Sequence, residues 1–357
     1  MRKSKITGMG FHLPEQVVTN QDLTAIMDTS DEWIQARSGI QERRWVTEDE
    51  AASDLAIPAS KKAMNMAGVA PEDIDLVIVA TLSADYFFPG AGVMVQDMMD
   101  MNTVGALDVR NQCSGFIYGL SIAEQYIKSG TYQNILVVGS EVQSTALDLS
   151  NNGRDTAVIF ADGAGAAVLS TTDKNQGILS TKLRSEGKFS KELWVESPSS
   201  SNGFPRITKN DIDEGKQFLK MNGQTVFKMA VKYFPEIILE SLDSVNMSIE
   251  NVDLLITCLP SPEICAEVMP SYLISNSDEI VSRHEIKHFD VNQKAVVIED
   301  SWLPDRRPLN VVVTSGASCP DIIMNQVIDR LVSFFGYGEE DISEGLANLS
   351  LLDEELA

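Results

Sequence analysis

The run Asp75-Leu-Val-Ile-Val-Ala-Thr81 is continuously apolar and rich in β-branched residues, which is typical of a strand buried on both faces of a parallel sheet. Two further runs, Asn134-Ile-Leu-Val-Val-Gly139 and Ala157-Val-Ile-Phe160, have the same character. Between the first two, the segment 113–127 has apolar residues at helical spacing and few charges, so it predicts a buried helix. These apolar residues are Phe116, Leu120, Ala123 and Ile127. Strands that alternate with helices predict an α/β protein up to about residue 257.

An internal echo indicates that the chain contains two related halves. Ala70-Pro-Glu-Asp-Ile-Asp-Leu-Val-Ile78 resembles Ser248-Ile-Glu-Asn-Val-Asp-Leu-Leu-Ile256, and each follows a long amphipathic helix pattern. Repeated helix–turn–strand units favour a duplicated fold. The alternative is that any connection from a helix to a strand has this appearance. Between the two units, Ser197-Pro-Ser-Ser-Ser-Asn-Gly-Phe-Pro205 is predicted to be a loop because of its turn residues.

The sequence changes character after residue 257. Prolines punctuate short predicted strands such as Leu309-Asn-Val-Val-Val-Thr314, and a helix is predicted from about Asp321 to Phe334. Residues 339–357 contain seven acidic side chains and neither Lys nor Arg, so they are predicted to form a solvated tail.

The composition excludes several classes of protein. The chain of 357 residues has 28 Lys and Arg against 52 Asp and Glu, and the resulting net charge of −24 repels DNA, RNA and anionic lipid. No stretch approaches the roughly 20 apolar residues that span a bilayer, and the first residues lack the apolar core of a secretion signal. Four cysteines in this length fit a reducing cytoplasm rather than a disulfide framework. We therefore expect a cytoplasmic protein with no nucleic-acid or membrane partner.

Cys113 lies where an apolar strand-like segment, residues 104–109, meets the predicted buried helix. A helix N-terminus presents N–H groups that lack intrahelical acceptors, together with the positive end of the helix dipole. Both features lower the pKa of a thiol and stabilise an oxyanion, so this position suits a nucleophile. The alternative is that Cys113 is a small buried apolar residue.

The sequence around Cys113 favours the nucleophile. Asp108-Val-Arg-Asn-Gln-Cys-Ser-Gly-Phe-Ile-Tyr-Gly-Leu120 resembles the nucleophile segment of β-ketoacyl-acyl-carrier-protein synthase III, a family with the thiolase fold. Three further segments resemble that family's early signature, its glycine-rich segment and the opening of its second half. They are residues 29–44, 152–169 and 221–230. The four motifs occur in order, and the resemblance covers residues 1 to about 257.

The resemblance implies that Cys113 takes an acyl group from acyl-CoA as a thioester and condenses it with malonyl-acyl-carrier protein in fatty-acid synthesis. It also implies that Trp33 stacks on the CoA adenine, that Arg154 lies on the other face of the adenine, and that Arg37 contacts the nucleotide phosphates. Arginine suits these roles because it combines a flat face with a bidentate fork for phosphate. From the residues alone, Trp33 could instead cover a core edge, and the arginines could be solvated.

The resemblance also implies the remainder of the substrate site. Phe88, in Tyr86-Phe-Phe-Pro89, corresponds to the aromatic residue at the floor of the acyl pocket. Gly223 and Phe227 correspond to positions that line the pantetheine tunnel. Members of the family are homodimers that pair through the sheet of the first half, so a homodimer is expected here. No cofactor and no metal ion are expected, because acyl-CoA is the substrate.

The implied fold is a duplicated, thiolase-like arrangement of α/β/α/β/α layers. The first half, residues 1–172, contains the nucleophile and is complete, and a partial second half covers residues 176–257. The second half is predicted to be altered or truncated after about residue 257. A segment with a different resemblance follows at residues 258–338, and an acidic tail occupies residues 339–357.

The family completes its active site with a His and an Asn in the second half. The His is expected directly after Val252-Asp-Leu-Leu-Ile256, where this chain has Cys258. The Asn loop is matched only faintly, by Asn310. The histidines of this chain lie in other contexts: His12, His284 and His288. Condensation is therefore expected to be impaired even where acylation survives.

Residues 265–335 resemble the last part of the LytB family, whose members reduce hydroxymethylbutenyl diphosphate with an iron–sulfur cluster. The segments concerned are 270–274, 284–290, 301–304 and 313–321. Ser318 corresponds to that family's last diphosphate-binding serine, but the region that supplies its three cluster cysteines has no counterpart here. The spacings of Cys258, Cys265 and Cys319 match no standard ligand pattern, so metal binding is not expected. The alternatives to a synthase are a non-catalytic or chimeric chain and a LytB-type isoprenoid reductase fragment.

Overall fold

A computed structural model describes residues 2–111, 113–174, 176–252, 254–257, 285–290, 295–300, 302 and 311–314. The strands are β1 (Lys3–His12), β2 (Gln16–Thr19), β3 (Glu42–Trp45), β4 (Leu76–Ala80), β5 (Gly105–Val109), β6 (Asn134–Val142), β7 (Asp162–Thr172), β8 (Leu193–Trp194), β9 (Lys220–Met221), β10 (Leu254–Thr257), β11 (Glu285–Asp290), β12 (Ala295–Asp300) and β13 (Val311–Thr314). The helices are α1 (Asn20–Thr24), α2 (Asp31–Ser38), α3 (Ala52–Ala67), α4 (Ala91–Met98), α5 (Gly115–Ser129), α6 (Arg154–Ala157), α7 (Lys209–Asp213) and α8 (Gly223–Asp243).

A five-stranded mixed sheet in the order β1-β7-β6-β4-β5 forms the centre of the first half. β4 is parallel to β5 and β6, whereas β7 is antiparallel to β6 and β1. The strands predicted at residues 75–81 and 134–139 are β4 and β6. Every residue of β4 is buried, so the prediction of a strand covered on both faces is confirmed.

Helices cover both faces of this sheet, because the side chains of each strand alternate between the faces. Val77 and Val79 of β4 pack in one core cluster with α3 and α4, whereas Leu76 and Ile78 pack in another with α5. Burying a side chain of this size contributes roughly 1.5–3 kcal/mol. The predicted α/β class is confirmed, and so is the buried helix in segment 113–127, which is α5.

Two glycines of β1 allow α3 to lie directly on the sheet. A Cβ atom on Gly8 would come within 2.1 Å of the Ala63 carbonyl oxygen, and one on Gly10 within 2.4 Å of the Ala59 carbonyl oxygen. Both oxygens belong to the backbone of α3, which cannot swing aside as a flexible side chain can. Gly8 and Gly10 therefore set the distance between helix and sheet on this face.

The strand predicted at residues 157–160 is wrong. Ala157 ends the short helix α6, Val158 and Ile159 form a turn, and β7 begins only at Asp162. The run is apolar because Ala157 and Val158 are buried in a core cluster with residues of α1 and α2. Hydrophobicity alone does not distinguish a strand from a buried helical segment in so short a run.

The internal echo in the sequence is a repeated local structure. α3 is followed by a 3₁₀ helix, Pro71–Asp73, and then by β4, whereas α8 is followed by the 3₁₀ helix Ile249–Asn251 and then by β10. Ile74 and Val252 occupy the same position between 3₁₀ helix and strand, and both are buried. β10 pairs in parallel with β13, as β4 pairs with its neighbours. The two echoing units thus share one local fold.

The described part of the C-terminal region contains β11, β12 and β13. β11 and β12 form an antiparallel pair, and β13 confirms the strand predicted within residues 309–314. His288 lies in β11. The predicted helix at 321–334 and the acidic tail at 339–357 lie outside the described residues. The same is true of Cys258, Cys265, His284, Asn310, Ser318 and Cys319.

Candidate active site

Cys113 lies, half-buried, in the turn that joins β5 to α5. α5 begins at Gly115, and its N-cap residue is Ser114, whose hydroxyl accepts a hydrogen bond of 3.2 Å from the Asn111 amide. Gly115 rests on the end of β4, because a Cβ atom there would come 3.1 Å from the Cβ atom of Ala80. The predicted junction between a strand and a buried helix is therefore present, with Cys113 beside the N-terminal end of α5.

Close packing against the sheet fixes the position of α5. A Cβ atom on Gly119 would come 2.8 Å from a methyl group of Val137, so the helix backbone lies directly on β6. The side chains predicted from the helical spacing, together with Ile122, pack in the core cluster on this face of the sheet: Phe116, Leu120, Ala123 and Ile127. The N–H groups at a helix N-terminus lack intrahelical acceptors and carry partial positive charge. Such a helix end suits a thiolate or an oxyanion beside it.

Three residues predicted to bind CoA lie together in the structure. Trp33 and Arg37 belong to α2, and Arg154 is the first residue of α6. The guanidinium carbon of Arg37 lies 4.2 Å from the centroid of the Trp33 ring, and that of Arg154 lies 4.7 Å from it. Each guanidinium is attracted to the electron-rich face of the indole. An aromatic plane with two cations is able to bind a nucleotide base and its phosphates.

Hydrogen bonds to the backbone hold this cluster in place. The Ser30 hydroxyl caps α2 by accepting a hydrogen bond of 3.1 Å from the Trp33 N–H. Arg154 Nη1 donates to the Asp28 carbonyl oxygen at 3.0 Å, and the Asp28 N–H donates to Asn151 Oδ1 at 2.6 Å. The loop before α2 and the segment before α6 are thus tied to each other. Trp33 also packs on a core cluster, so its ring both covers a core edge and contacts the arginines.

Phe88, which was predicted to form the floor of the acyl pocket, lies on the surface of a single chain. Its side chain is 77% exposed and that of Phe87 is 63% exposed. The two rings meet edge to face, with their centroids 5.3 Å apart. The guanidinium carbon of Arg206 lies 4.0 Å from the centroid of the Phe87 ring, so the segment after β8 contacts this aromatic pair.

Gly223 and Phe227, predicted to line the pantetheine tunnel, lie in the first turns of α8. Both are exposed to solvent. Just before β9, Leu219 packs in the same core cluster as Trp33, and its N–H donates to the Ala146 carbonyl oxygen at 2.8 Å. Leu219 therefore holds the chain before α8 beside the elements that carry Trp33, Arg37 and Arg154, which are called the Trp33 cluster below.

Glu141 is a carboxyl group at the end of β6 that the sequence patterns did not single out. It accepts hydrogen bonds from the Leu82 N–H at 2.6 Å, the Ser83 hydroxyl at 2.9 Å and the Gln143 amide at 2.8 Å. Burial raises the pKa of Glu141 to about 7, although these hydrogen bonds and the charge of Arg110 act in the opposite direction. Glu141 links β6 to the loop that carries the exposed aromatic pair. A charged residue at the end of an apolar run was the available signal.

Neither a metal site nor a membrane-spanning helix is present in the part of the chain that the structure describes. There, no group of three or more His, Cys, Asp or Glu side chains could hold a metal ion. His12 lies in β1, where burial and the nearby charge of Lys62 lower its pKa. Over the same residues, each helix is too short or too polar to cross a bilayer.

The chain is similar in sequence to proteins of known family. The model of the family described as 3-Oxoacyl-[acyl-carrier-protein (ACP)] synthase III matches residues 107–187, which include Cys113 and Arg154. The Beta-ketoacyl-[acyl-carrier-protein] synthase III of Fusobacterium nucleatum is 40% identical over 255 residues, which are 71% of this chain and 76% of the relative. The protein of the same name from Caldanaerobacter subterraneus is 35% identical over 297 residues, or 83% of this chain and 88% of the relative.

Similarity in structure leads to the same family. The crystal structure of 3-oxoacyl-[acyl-carrier-protein] synthase III from Aquifex aeolicus matches with a TM-score of 0.70 and 30% identity, and the match covers 94% of this chain and 92% of that one. The thiolase-like α/β fold expected from the resemblance is therefore confirmed. Since the sequence similarity covers more than two thirds of each relative, this chain belongs to the 3-oxoacyl-[acyl-carrier-protein] synthase III family of ketosynthase enzymes.

Proposed function

We propose that this chain is an acyltransferase that loads an acyl group from acyl-CoA onto Cys113 and condenses it with malonyl-acyl-carrier protein in fatty-acid synthesis. The observation that carries the proposal is the position of Cys113 at the N-terminal end of α5, within the segment that the family model matches. The relatives are named for the β-ketoacyl group on acyl-carrier protein that such a reaction produces.

The chemistry has two steps that both use this position. The thiolate of Cys113 first attacks the acyl carbonyl carbon, so that a new thioester forms and CoA leaves as its thiolate. Loss of carbon dioxide from malonyl-acyl-carrier protein then creates an enolate, whose carbon attacks that thioester and releases Cys113. Partial positive charge at the start of α5 stabilises the oxyanion of the first step. No cofactor takes part in either step.

The proposed CoA site consists of two parts. Trp33 supplies the stacking surface for adenine, Arg154 covers the other face, and Arg37 contacts the phosphates; their common cluster supports this assignment. Gly223 and Phe227 line the pantetheine tunnel in the proposal. Their place at the start of α8, which is anchored beside the Trp33 cluster through Leu219, supports it.

We also propose a homodimer. β5 is an edge strand of the central sheet, and its Leu107 is 36% exposed. An edge strand with unpaired backbone groups is a template for pairing with another chain. Phe87 and Phe88 form an exposed aromatic pair in the same half of the protein, and a second copy would cover it. The role of Phe88 at the floor of an acyl pocket requires such a cover.

We propose that the chain divides into residues 1–172, 176–257, 258–338 and 339–357. The end of β7 at Thr172 supports the first boundary. For the region after 257, the match to the Aquifex structure covers more of the chain than residues 1–257 could supply, which favours a ketosynthase-like second half. The resemblance of residues 265–335 to the LytB family rests on the sequence alone.

The test is the complete reaction. Purified protein is incubated with acetyl-CoA and malonyl-acyl-carrier protein, and acetoacetyl-carrier protein is measured by mass spectrometry. Formation of this product by the wild type and its loss in Cys113→Ala would support the proposal. A folded wild-type protein whose Cys113 stays unmodified at millimolar acetyl-CoA would contradict it. The same sample serves to test the reductase alternative, since iron–sulfur absorbance in the visible range would favour the LytB family.

A further inference from the structure

Arg43 is a buried cation that is linked by hydrogen bonds to the elements that carry the Trp33 cluster. It lies in β3 and is only 4% exposed. Its guanidinium donates from Nη1 to the Val18 carbonyl oxygen at 3.2 Å, and from Nη2 to Asn20 Oδ1 at 2.8 Å and the Val158 carbonyl oxygen at 2.9 Å. Burial lowers the pKa of Arg43 to about 10, against the opposing charges of Asp22 and Glu42, so the group remains charged at neutral pH.

Asn20 carries the contact from Arg43 to α2. Asn20 is 2% exposed, and its amide donates to Asp31 Oδ1 and to the Ile40 carbonyl oxygen, each at 2.7 Å. Asp31 is the first residue of α2, and Ile40 follows the end of that helix. Hydrogen bonds from Gln35 and Asn20 lower the pKa of Asp31, which keeps it an acceptor. The buried Asn20 amide is therefore hydrogen-bonded at both ends of the helix that carries the Trp33 ring.

The other branch of the network reaches α6. Val158, whose carbonyl oxygen accepts from Arg43, is the C-cap residue of the short helix that begins with Arg154. A single guanidinium is thus bonded to both sides of the cluster: through Asn20 to α2, and directly to the end of α6. The helix that carries Trp33 and the helix that begins with Arg154 are therefore linked through Arg43.

We propose that Arg43 and Asn20 are positioning residues that set the separation of Trp33 and Arg154, and thereby the affinity for the nucleotide part of CoA. This inference rests on the proposed acyl-CoA site. A buried charge is costly unless it is hydrogen-bonded, and the three hydrogen bonds from the Nη atoms of Arg43 therefore favour this arrangement, although its Nε has no partner among the described residues. A change in the positions of α2 and α6 would change the surface that Trp33 and Arg154 offer to a nucleotide base.

The experiment uses two thioesters that differ only in the nucleotide. Acylation of Cys113 is followed by intact mass with acetyl-CoA and with acetyl-pantetheine, which lacks the adenine and the phosphates. Asn20→Asp places a carboxylate against Asp31. Arg43→Lys keeps the positive charge but loses the guanidinium, whose two Nη atoms donate to both branches. Because hydrogen bonds to charged groups are removed, we expect each variant to raise the KM for acetyl-CoA about tenfold. The maximal acylation rate and the reaction with acetyl-pantetheine should stay within about twofold of wild type.

Arg44→Met is the matched control. Arg44 is the next residue of β3, but its guanidinium is partly exposed and donates to the Pro14 and Glu15 carbonyl oxygens. This variant should leave the KM for acetyl-CoA unchanged. Thermal unfolding shows which variants fold. If Arg43→Lys does not fold, Asn20→Ser replaces it, because this smaller change removes the hydrogen bonds from Asn20 to α2 and leaves Arg43 unchanged.

Two results would overturn the inference. Equal losses with acetyl-CoA and acetyl-pantetheine in folded variants would mean that Arg43 and Asn20 support the fold in general. An unchanged KM for acetyl-CoA would mean that the network does not act on the nucleotide site. Absence of Cys113 acylation by either thioester in the wild-type protein is a different result, since it would contradict the proposed function and this inference with it.

Discussion

The guanidinium carbon of Arg154 lies 4.7 Å from the centroid of the Trp33 indole ring. An adenine between these two groups would need a separation of about 7 Å, which is twice the contact distance of roughly 3.5 Å between stacked atoms. The Arg154 guanidinium must therefore move away from the ring when a base enters. This movement would break its hydrogen bond to the Asp28 carbonyl oxygen. The side chains of the cluster are therefore already together, but the gap between Trp33 and Arg154 is too narrow for an adenine.

Removal of the Trp33 ring tests the stacking surface. Trp33→Ala is expected to weaken CoA binding by about 1–3 kcal/mol, which is the usual effect of removing an aromatic platform beneath a base. Isothermal titration calorimetry with CoA gives the dissociation constant. Trp194→Ala is the matched control, because Trp194 is also half-buried and has the Lys191 ammonium 5.2 Å from its ring centroid. Equal affinity in Trp33→Ala and wild type would leave Trp33 with a packing role alone.

Replacement of Cys113 tests the nucleophile. Wild-type protein incubated with acetyl-CoA should gain the mass of one acetyl group, and Cys113→Ala should gain none, because the thiolate is the attacking group. Cys258→Ala controls for acylation of other thiols and should react like the wild type. Intact mass spectrometry followed by peptide mapping locates the group. Acetylation of Cys113→Ala to the same extent as wild type would disprove the assignment.

Much of the fold and part of the site were predictable because the signals are local. The helical spacing from Phe116 to Ile127 and the apolar run of β4 depend on neighbouring residues, and both predictions are confirmed. The run 157–160 misled because its burial arises from a cluster with α1 and α2 rather than from a sheet. The long-range hydrogen bonds of Arg43 left no pattern in the sequence. Arg43 bonds to Val158 across 115 positions of the chain, so its role emerges only from the fold.

Glu141 should make the stability of the protein depend on pH. Its folded-state pKa of about 7 lies above its ordinary value of 4.5, so the folded protein holds this proton more tightly than the unfolded chain does. The resulting stabilisation is complete below about pH 4.5 and is lost as the pH rises to about 7.

Glu141→Gln removes this titration while keeping the shape of the side chain. The free energy of unfolding of the variant, minus that of the wild type, should rise by about 3 kcal/mol between pH 4.5 and pH 7, because one pKa unit corresponds to 1.36 kcal/mol. Urea unfolding at several pH values measures this difference, and the acidic end of the series is its internal control. If the free energies of unfolding of the two proteins changed with pH in parallel, Glu141 would have the same pKa in the folded and the unfolded state, which would contradict this prediction.

Gly10 tests the close approach of α3 to the central sheet. In Gly10→Ala the new methyl group would lie 2.4 Å from the Ala59 carbonyl oxygen and 2.6 Å from the Ala63 backbone nitrogen, so the helix must shift. We expect a loss of about 1–3 kcal/mol in the free energy of unfolding, as is usual for overpacking. In Gly187→Ala no atom lies within 4 Å of the new methyl group, and the effect should stay within about 0.5 kcal/mol. Similar values for the two variants would contradict the argument.

The ends of β10 and β13 bear on the condensation step. Thr257 is paired with Thr314 in these parallel strands, so the chain leaves both strands at the same edge. Cys258 follows Thr257 at the point where the family's His is expected.

We therefore expect acylation and condensation to separate in this protein. The enolate formed from malonyl-acyl-carrier protein needs hydrogen-bond donors, and removing one such donor costs about 100- to 1,000-fold in rate. Cys258 is a weak donor, and its thiolate would repel the enolate. Wild-type protein should accumulate the acetylated form while making acetoacetyl-carrier protein slowly, and Cys258→His should speed this second step without changing the first. Single-turnover mass spectrometry measures both. Wild-type condensation at an ordinary rate of roughly 1–10³ per second would show that another group, such as His284, supplies the donor.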